Sequence, residues 1–127
     1  MSVEEATFRA FATKARRDRL LALLGNRKKL RAKLPHQRWL DDRFAQQIPP
    51  HQQTPDAIAE RLHALGAPRT CWAISEDPDI DGREWDLREV LHRIVGVGNA
   101  TLLSCKPGTL GYFEDEEPGE RYVLQRD

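Results

Sequence analysis

Over the first half of the chain, apolar residues recur at helical spacing. Phe8, Phe11, Ala12 and Ala15 fall on one face, and Leu20, Leu21, Leu23 and Leu24 widen it. This pattern predicts a single helix from Val3 to about Leu24. Ser2 and Glu5, in the run S-V-E-E, make a capping box at its start, and Gly25 suits the position after its end, where φ is often positive. Asn26 caps a second, short helix from Arg27 to Leu34, which Pro35 stops. Trp39, Leu40 and Phe44 predict a third short helix within His36–Gln47. A break follows at Ile48-Pro49-Pro50-His51-Gln52-Gln53. Thr54-Pro55-Asp56 then opens a helix, with threonine as N-cap and proline in the first turn. Ile58, Leu62 and Leu65 line its face and Gly66 ends it.

The period then shortens to two. Arg69–Ser75 reads as a strand with Trp72 and Ile74 on one face and Cys71 and Ala73 on the other. An acidic loop, Glu76 to Gly82, separates it from a helix over Leu87–Val95. Asp86 and Glu89 are the capping box of that helix, Leu87, Val90, Leu91, Ile94 and Val95 are its buried stripe, and Gly96 is its stop. The tail reads as a three-stranded meander: Ala100–Cys105, Leu110–Glu114 and Arg121–Gln125. Its loops carry Pro107-Gly108 and Pro118-Gly119, pairs that fit the centre of a type II turn.

These elements predict an α+β fold in which N-terminal helical segments pack on a small, mainly antiparallel C-terminal sheet. That sheet is the meander plus the Arg69–Ser75 strand, with one intervening helix. Its inner face draws on Trp72, Ile74, Leu102, Leu103, Tyr112, Phe113, Tyr122, Val123 and Leu124, covered by the helices Val3–Leu24 and Leu87–Val95. A chain of 127 residues fits one domain, 1–127, and can bury a core without disulfide or metal staples.

Composition narrows the class. The chain is 39% hydrophobic and 31% charged, with the apolar residues clustered, which argues against disorder. Two cysteines make no disulfide framework. The start, MSVEEATFRAF, lacks the basic and apolar regions of a secretory signal, and the longest apolar run, Leu20 to Leu24, is too short to span a bilayer. The expectation is a cytoplasmic protein with no membrane partner. Net charge is zero, yet residues 1–43 hold 12 Lys and Arg against 5 Asp and Glu, and residues 44–127 hold 8 against 15. A basic helical part, 1–47, thus precedes an acidic α+β part, 54–127. Either the halves neutralise each other on packing, or they present a dipolar surface to a charged partner.

Four local patterns offer chemistry. Asp77-x-Asp79-x-Asp81-Gly82 resembles the opening of a calcium loop, with hard oxygens on a tight turn that suit Ca²⁺ or Mg²⁺. Its twelfth position is Arg88 where a bidentate Glu belongs, so a plain acidic turn is the competing reading. Basic residues cluster at Lys14, Arg16, Arg17 and Arg19 and again at Arg27, Lys28, Lys29, Arg31 and Lys33, with Arg38 beyond. Of these, Arg16, Arg17, Arg27, Lys28, Lys29, Arg31 and Lys33 are the candidates to track a phosphate backbone, with Trp39 the one nearby aromatic for stacking. The competing reading is a solvated helix face or one that meets the acidic half. Glu114-Asp115-Glu116-Glu117 with Glu120 reads as a solvating loop or a dock for a basic partner. Cys71 or Cys105 with His92 would make a thiol nucleophile only within hydrogen-bond reach, and strand cysteines are commonly small core residues.

Two functional readings follow. The first is a non-catalytic interaction or regulatory module that recognises a macromolecule through charged surfaces: nucleic acid through the basic helices, or a protein through either half. The second is a small enzyme or divalent-metal protein built on the Asp77/Asp79/Asp81 loop. No catalytic set is assigned and no cofactor is expected beyond that ion.

Overall fold

The computed structural model describes every residue except Gln37 and Asp127. Helices α1 (Val3–Phe11), α2 (Lys14–Ala22) and α3 (Arg27–Ala32) lead. Strand β1 (Ala45–Gln47), helix α4 (Pro55–Ala64), strands β2 (Thr70–Ser75) and β3 (Arg83–Asp86), helix α5 (Leu87–Ile94) and strands β4 (Thr101–Lys106), β5 (Leu110–Glu114) and β6 (Arg121–Gln125) follow. The strands form one antiparallel sheet in the order β1-β6-β5-β4-β2-β3. The fold is α+β, and β4-β5-β6 is the expected meander with β2 added at its β4 edge. Two strands were missed in the sequence, β1 and β3, and they are the two edges.

The sheet divides its side chains between two cores. One face carries Ala73, Leu103, Tyr112 and Val123, aligned across β2, β4, β5 and β6. Helices α4 and α5 cover it with Ile58, Leu62, Leu87, Val90 and Leu91. The other face carries Ile74, Leu102, Phe113 and Leu124, under Phe8, Phe11, Leu20, Leu30, Leu34 and Trp39. The expectation of a single inner face covered by the Val3–Leu24 and Leu87–Val95 helices is therefore corrected: helices lie on both sides. Burial on both faces explains why β4 (T-L-L-S-C-K) and β5 (L-G-Y-F-E) do not alternate cleanly; all of β5 is buried.

Local signals set most element ends. Side chains of Ser2, Asn26, Thr54 and Asp86 each accept a hydrogen bond from the backbone N–H three residues on. Gly108 and Gly119 take φ of 73° and 85°, as type II turns after proline require.

The predicted Val3–Leu24 helix is broken at Ala12 and Thr13, both extended. Their backbones are claimed elsewhere: Thr13 N–H donates to Trp39 O at 2.7 Å, and Asp41 N–H donates to Phe11 O at 2.8 Å. Ala12 and Leu40 form an isolated bridge. Tertiary pairing thus overrides a helical period that the sequence carries without interruption. Gly25 accordingly does not take a positive φ, and α2 ends at Ala22. The predicted helix within His36–Gln47 is also absent; Gln37 in that span lies outside the described residues. Asp41 caps one 3-10 turn, Asp42–Phe44, and the chain then extends as β1 to pair with Tyr122–Leu124.

Candidate functional site

Helices α2 and α3 and the turn after α3 enclose a cleft of about 280 Å³ on the N-terminal side of the sheet. Arg16, Arg19 and Leu20 reach it from α2; Ala32, Lys33, Pro35, His36, Arg38 and Trp39 complete it. Helix geometry explains the selection. Arg16, Arg19 and Leu20 share one face at i, i+3 and i+4, whereas Asp18 lies roughly 200° round the helix from Arg16. No carboxylate lines the cleft among the described residues.

The floor is rigid. Trp39 is 3% exposed and its indole N–H donates to Leu34 O at 3.0 Å. Phe8 and Phe113 meet its ring edge-on, at centroid distances of 5.6 and 5.1 Å. Trp39 is therefore a core ring that closes the cleft from below, not the free stacking platform expected from sequence.

The rim is tied to the acidic hairpin end. His36 has a φ of 74°, the one non-glycine residue with positive φ among those described. Its N–H donates to Asp115 Oδ1 at 3.0 Å, and its Nε2 lies 3.2 Å from Glu116 Oε1. Asp115 is buried, as is Glu114, which accepts from Tyr112 O–H and Gly96 N–H and meets Arg121 Nε at 3.3 Å in an ion-pair approach without hydrogen-bond alignment. The run read as a solvating loop thus begins with two buried carboxylates that hold structure.

The predicted basic residues separate into four groups. Arg16 and Lys33 line the cleft. Lys28 and Lys29 are exposed one turn earlier on α3, at i−4 from Ala32 and Lys33, and extend the basic surface along that helix. Arg27 and Arg31 face the acidic half. Arg27 grips Asp81 with two hydrogen bonds (3.0 and 2.6 Å) and Glu4 with one (2.6 Å), and Arg31 lies 3.6 Å from Asp81. Arg17 is half-buried, with its Nε buried and without a hydrogen-bond partner. Arg19, Arg38 and His36 join the cleft from outside the predicted phosphate-tracking set, because only the fold shows that α2 and the turn after α3 converge.

The calcium-like loop is used internally in large part. The Asp81 side chain is 4% exposed and, besides the arginines, accepts from Ser75 N–H at 3.0 Å. Asp77 accepts from Asp79 N–H at 2.9 Å, a local turn bond. The Asp79 carbonyl accepts from Arg83, and its side chain is exposed. Among the described residues, no three His, Cys, Asp or Glu side chains are grouped to hold a metal ion.

Cys71 and Cys105 are free and buried on the same face of the sheet. Burial pushes the Cys105 thiol up to about 12 and Cys71 further, with Cys105 adding to the rise. His92 does not reach them; its Nε2 lies 3.0 Å from Asp56 Oδ1. No helix of the described residues is long and apolar enough to cross a membrane. No protein-family model matches the chain, and neither curated proteins nor solved structures yield a match.

Proposed function

We propose that this protein is a non-catalytic binding module that holds nucleic acid against its basic N-terminal face. One observation carries the reading: Arg16, Arg19, Lys33 and Arg38 converge on a cleft with no carboxylate in its lining. In a chain with 20 basic and 20 acidic residues, acidic partners are plentiful. Within the basic clusters the fold pairs Arg27 and Arg31 with carboxylates and leaves these four, with Lys28 and Lys29, unpaired among the described residues. Mutual repulsion in such a cluster is relieved by a polyanion, and binding is reinforced by release of its counterions. Contacts of this kind go to phosphates, so they position the ligand and give little sequence preference.

The alternative of a divalent-metal protein or metal-dependent enzyme on the Asp77/Asp79/Asp81 loop has weaker support, because two arginines already answer Asp81. A thiol mechanism has less still, given two buried, proton-retaining cysteines.

The test is fluorescence anisotropy of a labelled single strand against salt. With Arg16, Arg19, Lys28, Lys29, Lys33 and Arg38 engaged, log K should fall against log[salt] with a slope of about −4. Affinity should then drop roughly 300-fold between about 50 and 200 mM salt. Absence of binding at low salt would end the reading and leave an acidic protein partner as the object of the basic face.

A further inference from the structure

We infer that the cleft is a pocket for a single unpaired nucleotide unit, with its base on the apolar floor and its phosphate on the basic rim. This rests on the nucleic-acid reading and adds what is recognised: a nucleoside phosphate, free or at a strand end, and not duplex backbone.

Three observations lead here. The first is shape. A surface that only tracks phosphates needs no depth, since phosphates stand on the outside of a duplex. This cleft has a volume of about 280 Å³, near the lower end of small-ligand pockets, which run from roughly 300 to 1,000 Å³. Such a space takes one compact ligand and is far too small for a double helix.

The second is the division of chemistry within it. Leu20, Pro35 and Trp39 supply an apolar wall, locked by the packing of Trp39 between Phe8 and Phe113. Arg16, Arg19 and Arg38 surround that wall. A guanidinium offers both a planar fork for phosphate oxygens and a flat face that stacks on a base. A phosphomonoester carries a charge of about −1.5 to −2 at neutral pH and three acceptor oxygens, which suits several convergent cations better than one carboxylate does.

The third is strain at the rim. His36 holds a left-handed backbone at φ 74°, a conformation unfavourable for a non-glycine residue. The buried Asp115 fixes that turn through His36 N–H, which leaves the imidazole exposed at the mouth of the cleft beside Glu116. Backbone of this kind persists where the surroundings over-determine it, and it gathers at ligand sites.

The experiment titrates the full chain with adenosine 5′-monophosphate, adenosine and inorganic phosphate, following ¹H–¹⁵N shifts and heats of binding. The nucleotide should bind at least tenfold tighter than either fragment, with shifts concentrated in α2 and at Ala32, Lys33, His36, Arg38 and Trp39. Lys33→Glu, at an exposed position, should weaken it at least tenfold while melting like wild type. Arg38→Gln, a second exposed change, should weaken it several-fold should Lys33→Glu not fold. A 5′-phosphorylated strand that competes tenfold better than its 5′-hydroxyl counterpart identifies a strand end as the source; a nucleotide displaced by neither identifies a free nucleotide.

Binding no tighter than that of inorganic phosphate overturns the pocket. So do nucleotide shifts located elsewhere. Single and double strands that bind with a steep salt slope while the nucleotide neither binds nor competes would remove this inference and keep the function proposed above. Nucleotide binding without binding of any strand would do the reverse.

Discussion

Asp81→Ala tests whether the acidic loop is a structural latch. Asp81 joins three parts of the chain: it holds Arg27 of α3 with two hydrogen bonds, caps Ser75 N–H at the end of β2, and shares Arg27 with Glu4 of α1. Glu4 in turn accepts from the Trp72 indole at 2.8 Å. Paired, two-point contacts of this kind are among the stronger polar interactions. Removing one member of a buried pair costs about 3–5 kcal/mol, because the other charge is left without an answer. Arg27 keeps 30% side-chain exposure and Glu4, so water and the second carboxylate recover part of the loss. The expected cost is about 2–3 kcal/mol, or roughly 10 °C in melting temperature for a domain of this size.

Thermal and urea unfolding followed by circular dichroism would measure it. Asp81→Asn should cost less than Asp81→Ala, since its amide oxygen still accepts from Ser75 N–H. Asp79→Ala, at an exposed position, should stay within about 0.5 kcal/mol of wild type. The coupling between Arg27→Ala and Asp81→Ala in a double-mutant cycle should be about 1–2 kcal/mol. The latch is refuted by an Asp81→Ala protein that melts within about 2 °C of wild type. A saturable melting shift with millimolar Ca²⁺ that Asp79→Ala abolishes would instead return the loop to metal binding.

Three further outcomes follow from the same geometry. Gly111→Ala should cost about 2–3 kcal/mol, because a Cβ there would sit 2.6 Å from Leu103 O, in backbone that cannot yield cheaply; unfolding in urea measures it. Neither Cys71 nor Cys105 should react with a thiol reagent in the native protein at neutral pH, whereas both should react in guanidinium; fast native labelling of either would contradict their burial. Stability should fall in acid: hydrogen bonds from Arg43 to Asp41, from His92 and Arg88 to Asp56, and from Glu89 N–H and Arg69 to Asp86 hold these carboxyls below their ordinary range. Their contribution is complete above the ordinary aspartate value of about 4 and is lost as pH falls through the lowered folded values, so urea midpoints should not decline on these groups' account between about pH 5 and 7.

Much of the fold was legible because local chemistry and tertiary packing agree. Caps at Ser2, Asn26, Thr54 and Asp86, and the turns at Gly108 and Gly119, announce themselves in sequence. The failures fall where packing overrode them. Nothing in F-A-T-K-A says that Ala12 and Thr13 will pair with Trp39 to Asp41, so two helices read as one. The edge strands β1 and β3 are only three and four residues long, and R-E-W-D sits between a loop and a helix cap that each explained its neighbours. The site was half visible. Basic clusters show in the sequence, but which cations meet acids and which stay free depends on α3 presenting Arg27 to Asp81 and on Lys33, just past its end, lining the cleft with α2. The role of Asp115, nearly eighty residues from His36, has no local signal at all.

The most direct measurement of the central claim compares two charge-reversed proteins in the same strand-binding assay. Arg16→Glu/Arg19→Glu removes cleft cations; Arg61→Glu/Lys106→Glu makes the same change in net charge around α4, on the other side of the sheet. If the basic face is the nucleic-acid surface, the first variant should lose at least tenfold in affinity at low salt and flatten the salt slope by about 1–2, while the second keeps most of both. Equal losses in the two would mean that only net charge matters, and the cleft would not be the site.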